Sequence, residues 1–572
     1  MFAAIEDQLN STTIKKGVYI LIIVGIIVYF FGLFNNFVID DNAQIVDNPI
    51  NHSINNFFTF FTGSTFYSGS NQLVGIYYKP ITTSFFSLVY SIFGPNPFWF
   101  HLLQMTVHIA NASILFLVLI RFFKIPTSLV LSLIFLVHPI NSESVFYISA
   151  SQEALFFLFG ILGLWLIISY KSMRYTILAG VSFFLSLLSK ETGMLFVLAS
   201  ILYAVLFNRK LLTTVVTTSS VVVFIYFFLR ISAIGLFNQP MNTPIANSDL
   251  VDRLINIPSI IFLYIKTFVF PLNLSSSYQW TNESINFNNF FLPLFVDIIF
   301  SLIILFLGIV IYKKHFYKDF KIYLFFVSFL IFGLLLHSQI LPLDSTAAER
   351  WFYFPIIGLL GIIGVFIESL VKKKWMNIIL CGLLIIGLIL SFRTVIRSYD
   401  WKDDFTLASK DIKVSKDAYD LEMRIAMGFY SKGNFREAKA HIERSIELYP
   451  YISNYNNSGS IYLKLGEYEK AKKAYLTALK FGDYYPVYVN LCLLSLVDGG
   501  GSKNMVFVKR IIQKFPYDSK LWTCLATLAY QTNNIESAKE AITKAYYYDQ
   551  NSETTNLYNV IMNNKPLNLN IK

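Results

Sequence analysis

Residues 17–34 read GVYILIIVGIIVYFFGLF, and FVIDD follows at 37–41. A run this long and this apolar is typical of a membrane span, because about 20 such residues cross the hydrocarbon core of a bilayer. Lys15 and Lys16 precede the run, and two asparagines follow it where a signal peptide would carry small residues. We therefore predict a retained span and no cleavable signal peptide.

The rest of the chain divides into an apolar part and a part of ordinary charge. Of 572 residues, 55% are hydrophobic and 14% are charged, with a net charge of +11. Residues 1–400 contain 40 Asp, Glu, Lys and Arg residues, and residues 401–572 contain 41. Soluble domains are about 25% charged. We predict an all-α protein with a polytopic membrane domain at 1–400 and a soluble domain at 401–572.

Eleven apolar runs are candidates for membrane spans, although two of them, 125–138 and 194–207, are short. They lie near 17–34, 98–120, 125–138, 144–169, 175–189, 194–207, 211–230, 290–312, 322–340, 352–371 and 375–392. The stretch 257–274 is also apolar, but it contains Lys266 and Pro271, and counting it as a span reverses the charge pattern of the loops. We predict a helix along the membrane surface there.

Basic residues indicate the orientation of the spans. With a cytoplasmic N-terminus, fifteen Lys and Arg residues of the first 400 lie on the inner side and eight lie on the outer side. This asymmetry follows the positive-inside rule. It places loops 35–97 and 231–289 and the C-terminal domain outside, in a plasma membrane if the cell is prokaryotic and in the endoplasmic reticulum if it is eukaryotic. Flanking basic residues also explain the net charge without a nucleic-acid partner.

The C-terminal domain is repetitive. The segment GNFREA at 433–438 recurs as GEYEKA at 466–471 and as NNIESA at 533–538, so the steps are one and two units of about 34 residues. This period, with small residues between paired helices, predicts a tetratricopeptide solenoid of about four units. Such arrays bind peptides or proteins on a concave surface. A helical stalk or a dimer contact is the alternative interpretation.

The three cysteines, Cys381, Cys492 and Cys524, have unrelated spacings. They predict no disulfide framework and no metal knuckle.

Polar motifs gather where the predicted spans meet the outer loops. Asp40 and Asp41 close the first span, and adjacent carboxylates there can act as a base, bind a metal or cap a helix. His101, Gln104, His108 and Asn111 share one face of the second span. That stripe is consistent with either a wet cavity or a polar helix interface.

Further motifs combine cations with carboxylates. The stretch HPINSE at 138–143 contains His138 and Glu143, and these motifs together show no ligand spacing typical of a metal site. Lys190 and Arg350 stand beside carboxylates, which predicts either ion pairs that hold loops or cations that bind phosphate. The other charged residues of these motifs are Lys79, Glu153, Glu191 and Glu349.

The order of these motifs resembles one known family. DDxxxIVxNP, YxP, FHxxxxxxH, HPxxxE, KExG and AERxxYxP, followed by tetratricopeptide repeats, are similar to the transmembrane-and-tetratricopeptide (TMTC) O-mannosyltransferases and their prokaryotic relatives. Residues 230–280 also resemble the loop domain of that family. The resemblance covers nearly the whole chain. It implies the GT-C glycosyltransferase fold, whose members take a sugar from a polyprenyl phosphate at the outer or lumenal membrane face.

The resemblance also assigns roles. It implies that Asp40 is the catalytic base and that Asp41 orients the site or the acceptor. It implies no metal and no cofactor, since the lipid-linked sugar is a substrate. Two positions depart from the family, which usually has arginine where this chain has Lys79 and a Gly-Arg pair where this chain has Ala150 and Ser151. The donor-phosphate contacts are therefore expected to differ.

We accordingly expect an enzyme that transfers a hexose, with mannose favoured, from a polyprenyl phosphate to Ser or Thr of a protein, with inversion. The resemblance favours a substrate site built from Lys79, His101, His108, His138, Glu143, Glu153, Lys190, Glu191, Glu349 and Arg350. The alternatives are a sugar transferase that uses a lipid or glycolipid acceptor, and a non-catalytic membrane scaffold. The expected partners are the lipid-linked sugar, the bilayer and an acceptor protein held by the repeats.

Overall fold

The structure, a computed structural model, describes residues 12–67, 73–170, 172–235, 242–314 and 316–567. The expected all-α fold is confirmed. The described residues form helices and loops apart from two paired strands of two residues each, β1 Phe66–Tyr67 and β2 Leu73–Val74. The chain divides into two compact units. The first takes residues up to 66 and 73–418, and the second takes Tyr67 and the residues from Tyr419 onward.

The described part of the first unit contains sixteen α-helices. They are α1 Ile14–Tyr29, α2 Pro80–Phe93, α3 Pro97–Leu119, α4 Ile125–Val137, α5 Glu143–Phe146, α6 Ser151–Ser169, α7 Met173–Ser189, α8 Met194–Phe207, α9 Arg209–Ile234, α10 Pro244–Asn247, α11 Leu250–Val269, α12 Leu292–Lys313, α13 Tyr317–Leu336, α14 Pro355–Leu370, α15 Lys373–Asp400 and α16 Asp404–Asp411. Short 3₁₀ or π turns extend several of them, as at Phe30–Phe34 and Glu349–Tyr353.

Among the described residues, eight helices are long and apolar enough to cross a membrane, and a ninth is counted if the pair 125–137 and 139–146, bent by 50°, is one span. Each of the eleven predicted runs lies mainly on helix; the two at 173–189 and 191–207 are apolar helices shorter than this criterion, so the count of eleven stays a prediction. Helix α7 has 17 residues and α8 has 14. The polar motif at 190–193 lies between these two helices.

Close helix packing builds the membrane unit. Helix α3 contacts α1, α4 and α6, and α13 packs along α14. A Cβ atom at Gly358 of α14 would lie 2.6 Å from the backbone nitrogen of Leu330 and 2.7 Å from the carbonyl oxygen of Phe326. Only glycine allows the two helix backbones to approach this closely.

The first unit continues past residue 400, where the composition changes. In a buried ion pair, Arg397 Nη1 lies 2.6 Å from Asp411 Oδ1 and Nη2 lies 3.0 Å from Oδ2, which ties α16 to the end of α15. Asp411 also accepts a hydrogen bond of 2.6 Å from the Ser276 backbone. Trp401 between the two helices is fully buried. These contacts place residues 401–418 in the membrane unit.

The second unit has the predicted repeat architecture. Its helices pair in sequence and a last helix follows them: α17 Tyr419–Ser431, α18 Phe435–Leu448, α19 Ile452–Lys464, α20 Tyr468–Ala478, α21 Tyr485–Ser495, α22 Gly501–Lys514, α23 Ser519–Gln531, α24 Ile535–Tyr548 and α25 Ser552–Met562. Gly433, Gly466 and Asn533, which the repeat alignment equates, all have positive φ angles in the turn between paired helices. Ala438 and Ala471 are fully buried, as close helix pairing requires.

The structure corrects the expectation about cysteines. Cys492 of α21 and Cys524 of α23 form a disulfide with a Cα–Cα distance of 6.3 Å, while Cys381 is free and buried. The separation of 32 residues is close to one repeat, so equivalent positions of neighbouring repeats meet. A sequence search for tight cysteine motifs misses such a pair.

We expect this disulfide to stabilise the second unit. A closed loop of this length restricts the unfolded chain, which contributes about 2–4 kcal/mol. Reduction, or the Cys492→Ser variant, should lower the midpoint of urea unfolding of the second unit, monitored by protease cleavage within that unit. Cys381→Ser is the matched control and should leave this midpoint unchanged. An equal midpoint for Cys492→Ser and the unaltered protein would show that the two thiols are not joined.

Candidate functional site

A strained turn after the first span presents two carboxylates in different environments. Ile39 has φ +54°, which is a costly backbone conformation for a β-branched residue. Such strain often occurs at functional sites, where the surrounding structure enforces it. Asp41, two residues on, is fully buried, whereas Asp40 is exposed.

Asp41 holds the turn together. Its Oδ2 accepts a hydrogen bond of 3.0 Å from the Val38 backbone, and its Oδ1 accepts one of 2.7 Å from the Ser149 backbone. Burial raises the pKa of Asp41 to about 7, while the bonds from Ser149 and Val38 act in the opposite direction. Both oxygens are engaged by protein donors, so Asp41 serves the structure of the turn.

Asp40 is exposed, and we call the region around its carboxylate, which Tyr147 and Lys79 approach, the cleft. Asp40 Oδ2 accepts a hydrogen bond of 3.1 Å from the Tyr147 hydroxyl. Desolvation by the surrounding protein raises the pKa of Asp40 above its ordinary value, and the nearby Asp344 acts in the same direction. The hydrogen bond from Tyr147 and the positive charges of Lys79 and Arg350 act in the opposite direction. A carboxylate that is accessible and has a raised pKa is suited to accept a proton near neutral pH.

The turn is anchored to the chain that follows the last span. Three hydrogen bonds make this connection: Asn35 Nδ2 to the Ser398 carbonyl (3.1 Å), the Asn36 backbone N–H to the Lys402 carbonyl (2.9 Å), and the Ile39 backbone N–H to Asp404 Oδ1 (3.2 Å). In addition, the Tyr147 ring stacks on Trp401 at 6.1 Å between centroids. The segment 398–404 therefore positions both Asp40 and its hydrogen-bond donor.

Among the cations of the predicted site, Lys79 differs in that its side chain hydrogen-bonds to a neutral group, the amide of Gln152. Lys79 precedes α2 and is buried, its Nζ donates to Gln152 Oε1, and the ammonium lies 4.5 Å from the centroid of the Tyr77 ring. Burial lowers the pKa of Lys79 to about 8, and Lys190 acts in the same direction. In the described part of the chain, Lys79 has no salt-bridge partner.

The remaining cations of the predicted site are paired with carboxylates. Lys190 Nζ binds Glu153 Oε1, and Arg350 Nη1 binds Glu143 Oε1. Glu143 also accepts a 2.9 Å hydrogen bond from the Arg350 backbone through Oε2. Both carboxylates are buried.

A weaker pair joins Arg230 Nε to Glu191 Oε1 at 3.3 Å, with 40% of the Glu191 side chain exposed. The geometry of these three pairs favours the interpretation that they hold the loops.

The three histidines of the predicted site, His101, His108 and His138, are buried within the protein. His108 Nδ1 lies 2.6 Å from the Tyr353 hydroxyl, and its Nε2 lies 2.9 Å from the Leu136 carbonyl. His138 stacks on Phe268. His101 is buried beside the backbone that leads into the Asp40 turn.

The polar stripe on α3 is a helix interface. Gln104 Nε2 donates to the carbonyls of Ser144 (2.7 Å) and Tyr147 (2.8 Å), and Asn111 Nδ2 donates to the Ala154 carbonyl (2.9 Å). These bonds hold the segment that contains Glu143 and Tyr147 against α3. Gln104 Oε1 and Asn111 Oδ1 are buried without a hydrogen-bond partner in the described part of the chain, so the wet cavity along the stripe stays a prediction.

Glu349 belongs to a separate buried network. Its Oε1 accepts hydrogen bonds from the Ser275 backbone (2.7 Å) and from the Tyr278 hydroxyl (2.9 Å). Tyr278 also forms an isolated β-bridge with Ala347. Glu349 therefore connects the start of the span at 349–370 to the loop that follows α11.

No three His, Cys, Asp or Glu side chains converge as a potential metal site in the ranges that the structure describes. The independence from metal that the resemblance implies stays a prediction.

Sequence reasoning did not single out four neighbours of the cleft. Tyr147 donates to Asp40, Gln152 accepts from Lys79, and the Tyr77 hydroxyl donates to Asp344. Asp344 lies outside every motif of the series. Tyr77 precedes Tyr78 in the YxP motif, which is the one sequence signal that could have pointed to it.

Comparisons with known proteins agree with this reading of the motifs. A tetratricopeptide-repeat family model matches residues 452–481, which cover α19 and α20. "Protein O-mannosyl-transferase F38B6.6" of Caenorhabditis elegans is 24% identical over 458 residues, which are 76% of this chain and 63% of the relative. "Protein O-mannosyl-transferase TMTC3" of Homo sapiens is 34% identical over 140 residues, 24% of this chain and 15% of the relative.

The chain thus spans less than two thirds of the length of these relatives. The resemblance derived from the motif series is confirmed: the chain is similar to TMTC-type protein O-mannosyl-transferases and contains a tetratricopeptide repeat.

Proposed function

We propose that this protein is a GT-C glycosyltransferase that transfers mannose from a polyprenyl phosphate to Ser or Thr hydroxyls of a protein. The names of the relatives support mannose and a protein acceptor. The eight apolar helices support a membrane enzyme, for which a lipid-linked donor is accessible.

In the proposed reaction, the acceptor hydroxyl oxygen forms a bond to the anomeric carbon of the sugar. The bond from that carbon to the phosphate oxygen breaks, and its electrons leave with the polyprenyl phosphate. Asp40 takes the hydroxyl proton. Attack opposite the leaving phosphate inverts the anomeric centre. Lys79 stabilises the negative charge that develops on the departing phosphate.

One observation carries this proposal: Asp40 is exposed and Lys79 bonds to the neutral side chain of Gln152, and neither forms an ion pair in the described part of the chain. The nearby pairs Arg350–Glu143 and Lys190–Glu153 are already neutralised. An unpaired carboxylate can accept the proton of the acceptor hydroxyl, and an unpaired cation can bind the donor phosphate.

The direct test is transfer by the purified protein in liposomes that contain radiolabelled polyprenyl-phosphate mannose. Two peptides differ only in Ser/Thr or Ala at the acceptor positions. Label in the Ser/Thr peptide but not in the Ala peptide supports the proposal. Label in a glycolipid acceptor and in neither peptide would instead establish the lipid-acceptor alternative, and no release of mannose at all would favour a scaffold.

The proposal places the N-terminus in the cytoplasm and the repeats outside. The Cys492–Cys524 disulfide supports this orientation, because disulfides persist in oxidising, extracytoplasmic compartments. Protease added to right-side-out vesicles should cut the second unit. Protection of that unit until the vesicles are opened would contradict the orientation.

The pKa values of Asp40 and Lys79 predict how the rate of transfer depends on pH. Transfer should rise as Asp40 loses its proton, above the ordinary carboxylate range since its pKa is raised. Transfer should fall again above about pH 8, where Lys79 loses its charge. In Lys79→Arg the guanidinium remains charged, so the alkaline fall should disappear. Lys410→Arg, at an exposed position, is the control. Unchanged alkaline behaviour in Lys79→Arg would remove Lys79 from the phosphate contact.

A further inference from the structure

The first unit also contains a concave site whose lining does not include Asp40. It is a cavity of about 530 Å³ between the C-terminal half of α11, the loop at 273–280 and the segment 413–418. This volume is within the usual range for ligand pockets, about 300–1,000 Å³. None of the residues that line it forms the cleft around Asp40 and Lys79.

The cavity has an excess of positive charge. Lys266, Lys413 and Lys416 line it, and Asp417 is the one carboxylate in the lining. All three lysines are exposed, and in the described ranges none has a carboxylate within salt-bridge distance. Three unpaired cations at one rim favour an anionic ligand.

The interior of the cavity offers unused hydrogen-bonding capacity. Gln279 Oε1 and the Ser415 hydroxyl are buried and have no hydrogen-bond partner in the described part of the chain. Both residues line the cavity together with the rings of Phe270 and Trp280. A buried polar atom without a partner costs free energy, which a bound ligand with N–H or O–H donors would recover. Aromatic rings add apolar contact area for such a ligand.

One wall indicates the kind of ligand. Residues 413–418 form turns that lead directly into α17 at Tyr419, the first helix of the repeats. The walls at 273–280 and 413–418 belong to no helix of spanning length. A lipid would place its tail against spanning helices, whereas a polypeptide matches polar main chain, aromatic rings and lysines.

We propose that this cavity binds an acidic segment of the acceptor polypeptide, near its Ser or Thr. The lysines contact the Glu or Asp side chains, and Gln279 and Ser415 hydrogen-bond the peptide groups. The inference deepens the proposed function and rests on it for the identity of the polypeptide as acceptor. It makes the cavity a determinant of which hydroxyls are modified.

The test measures peptide binding to the detergent-solubilised full chain, without any donor. Two fluorescent peptides share one Ser/Thr sequence and differ in having Glu or Gln at the flanking positions. From fluorescence anisotropy, the Glu peptide should bind at least about fivefold more tightly, since several cations contribute. Lys413→Glu with Lys416→Glu should abolish that preference. Lys410→Glu makes the same charge change at an exposed lysine outside the cavity and should preserve it.

Equal affinity of the two peptides, or an equal loss in Lys410→Glu, would overturn the inference. So would displacement of the peptide by inorganic phosphate, which would define a simple phosphate site. The binding assay contains no donor, so its result does not depend on transfer. A protein that prefers the Glu peptide but transfers no mannose would contradict the proposed function alone. Transfer of mannose without peptide selectivity would contradict this inference alone.

Discussion

Asp40→Asn is expected to reduce mannosyl transfer by about 10²–10⁴-fold, the contribution of a positioned general base. The amide has the size of the carboxylate and can still accept the hydrogen bond from Tyr147, so the turn should keep its structure. The Kd of the acceptor peptide should be unchanged, because the base acts in the transition state. Transfer is measured with the labelled lipid donor under single-turnover conditions.

Asp41→Asn is the matched comparison. In Asp41→Asn, one side-chain oxygen can still accept a backbone hydrogen bond, but an NH2 group replaces the other oxygen and faces a backbone N–H donor in a buried turn. This change should cost about 1–3 kcal/mol of stability while the folded protein retains most of its turnover. If turnover collapsed in Asp41→Asn and survived in Asp40→Asn, the two roles would be reversed.

The second large effect concerns the buried pair of Arg350 and Glu143. Arg350→Met leaves Glu143 as an uncompensated charge, which is expected to cost about 3–5 kcal/mol of stability. The midpoint of thermal unfolding in detergent should fall strongly. We expect transfer to be lost through unfolding, because Glu143 binds the Arg350 side chain.

The double variant Arg350→Met with Glu143→Gln is the control for this pair. Removing both charges should recover much of the stability, and a double-mutant cycle measures the coupling. A double variant as unstable as Arg350→Met would contradict the ion-pair role. A stable Arg350→Met protein that cannot bind donor would make Arg350 a phosphate ligand.

The class of fold could be predicted because the features that determine it lie close together in the sequence. Apolar runs, the 34-residue period and turn residues such as Gly433 and Gly466 act within a few turns of helix. The number of spans is harder to predict, because α7 and α8 are apolar but short. The disulfide was missed because it joins neighbouring repeats and no short motif contains it.

The site was predicted as a region and not as a set of contacts. The sequence placed two carboxylates at 40–41 but could not show which one is accessible, since that depends on the φ angle of Ile39 and on the distant Ser149 backbone. Lys190 stands next to Glu191 in sequence but binds Glu153 in space.

Arg350 likewise stands next to Glu349 and binds Glu143. Tertiary partners of this kind cannot be derived from adjacency.

The most direct test of the account is mass spectrometry of extracytoplasmic proteins from cells that carry the unaltered gene, a deletion or the Asp40→Asn variant. We predict hexose on Ser or Thr peptides in the first strain and its loss in the other two, with Asp40→Asn protein present in the membrane at normal abundance. Identical Ser and Thr glycosylation in all three strains would contradict the account.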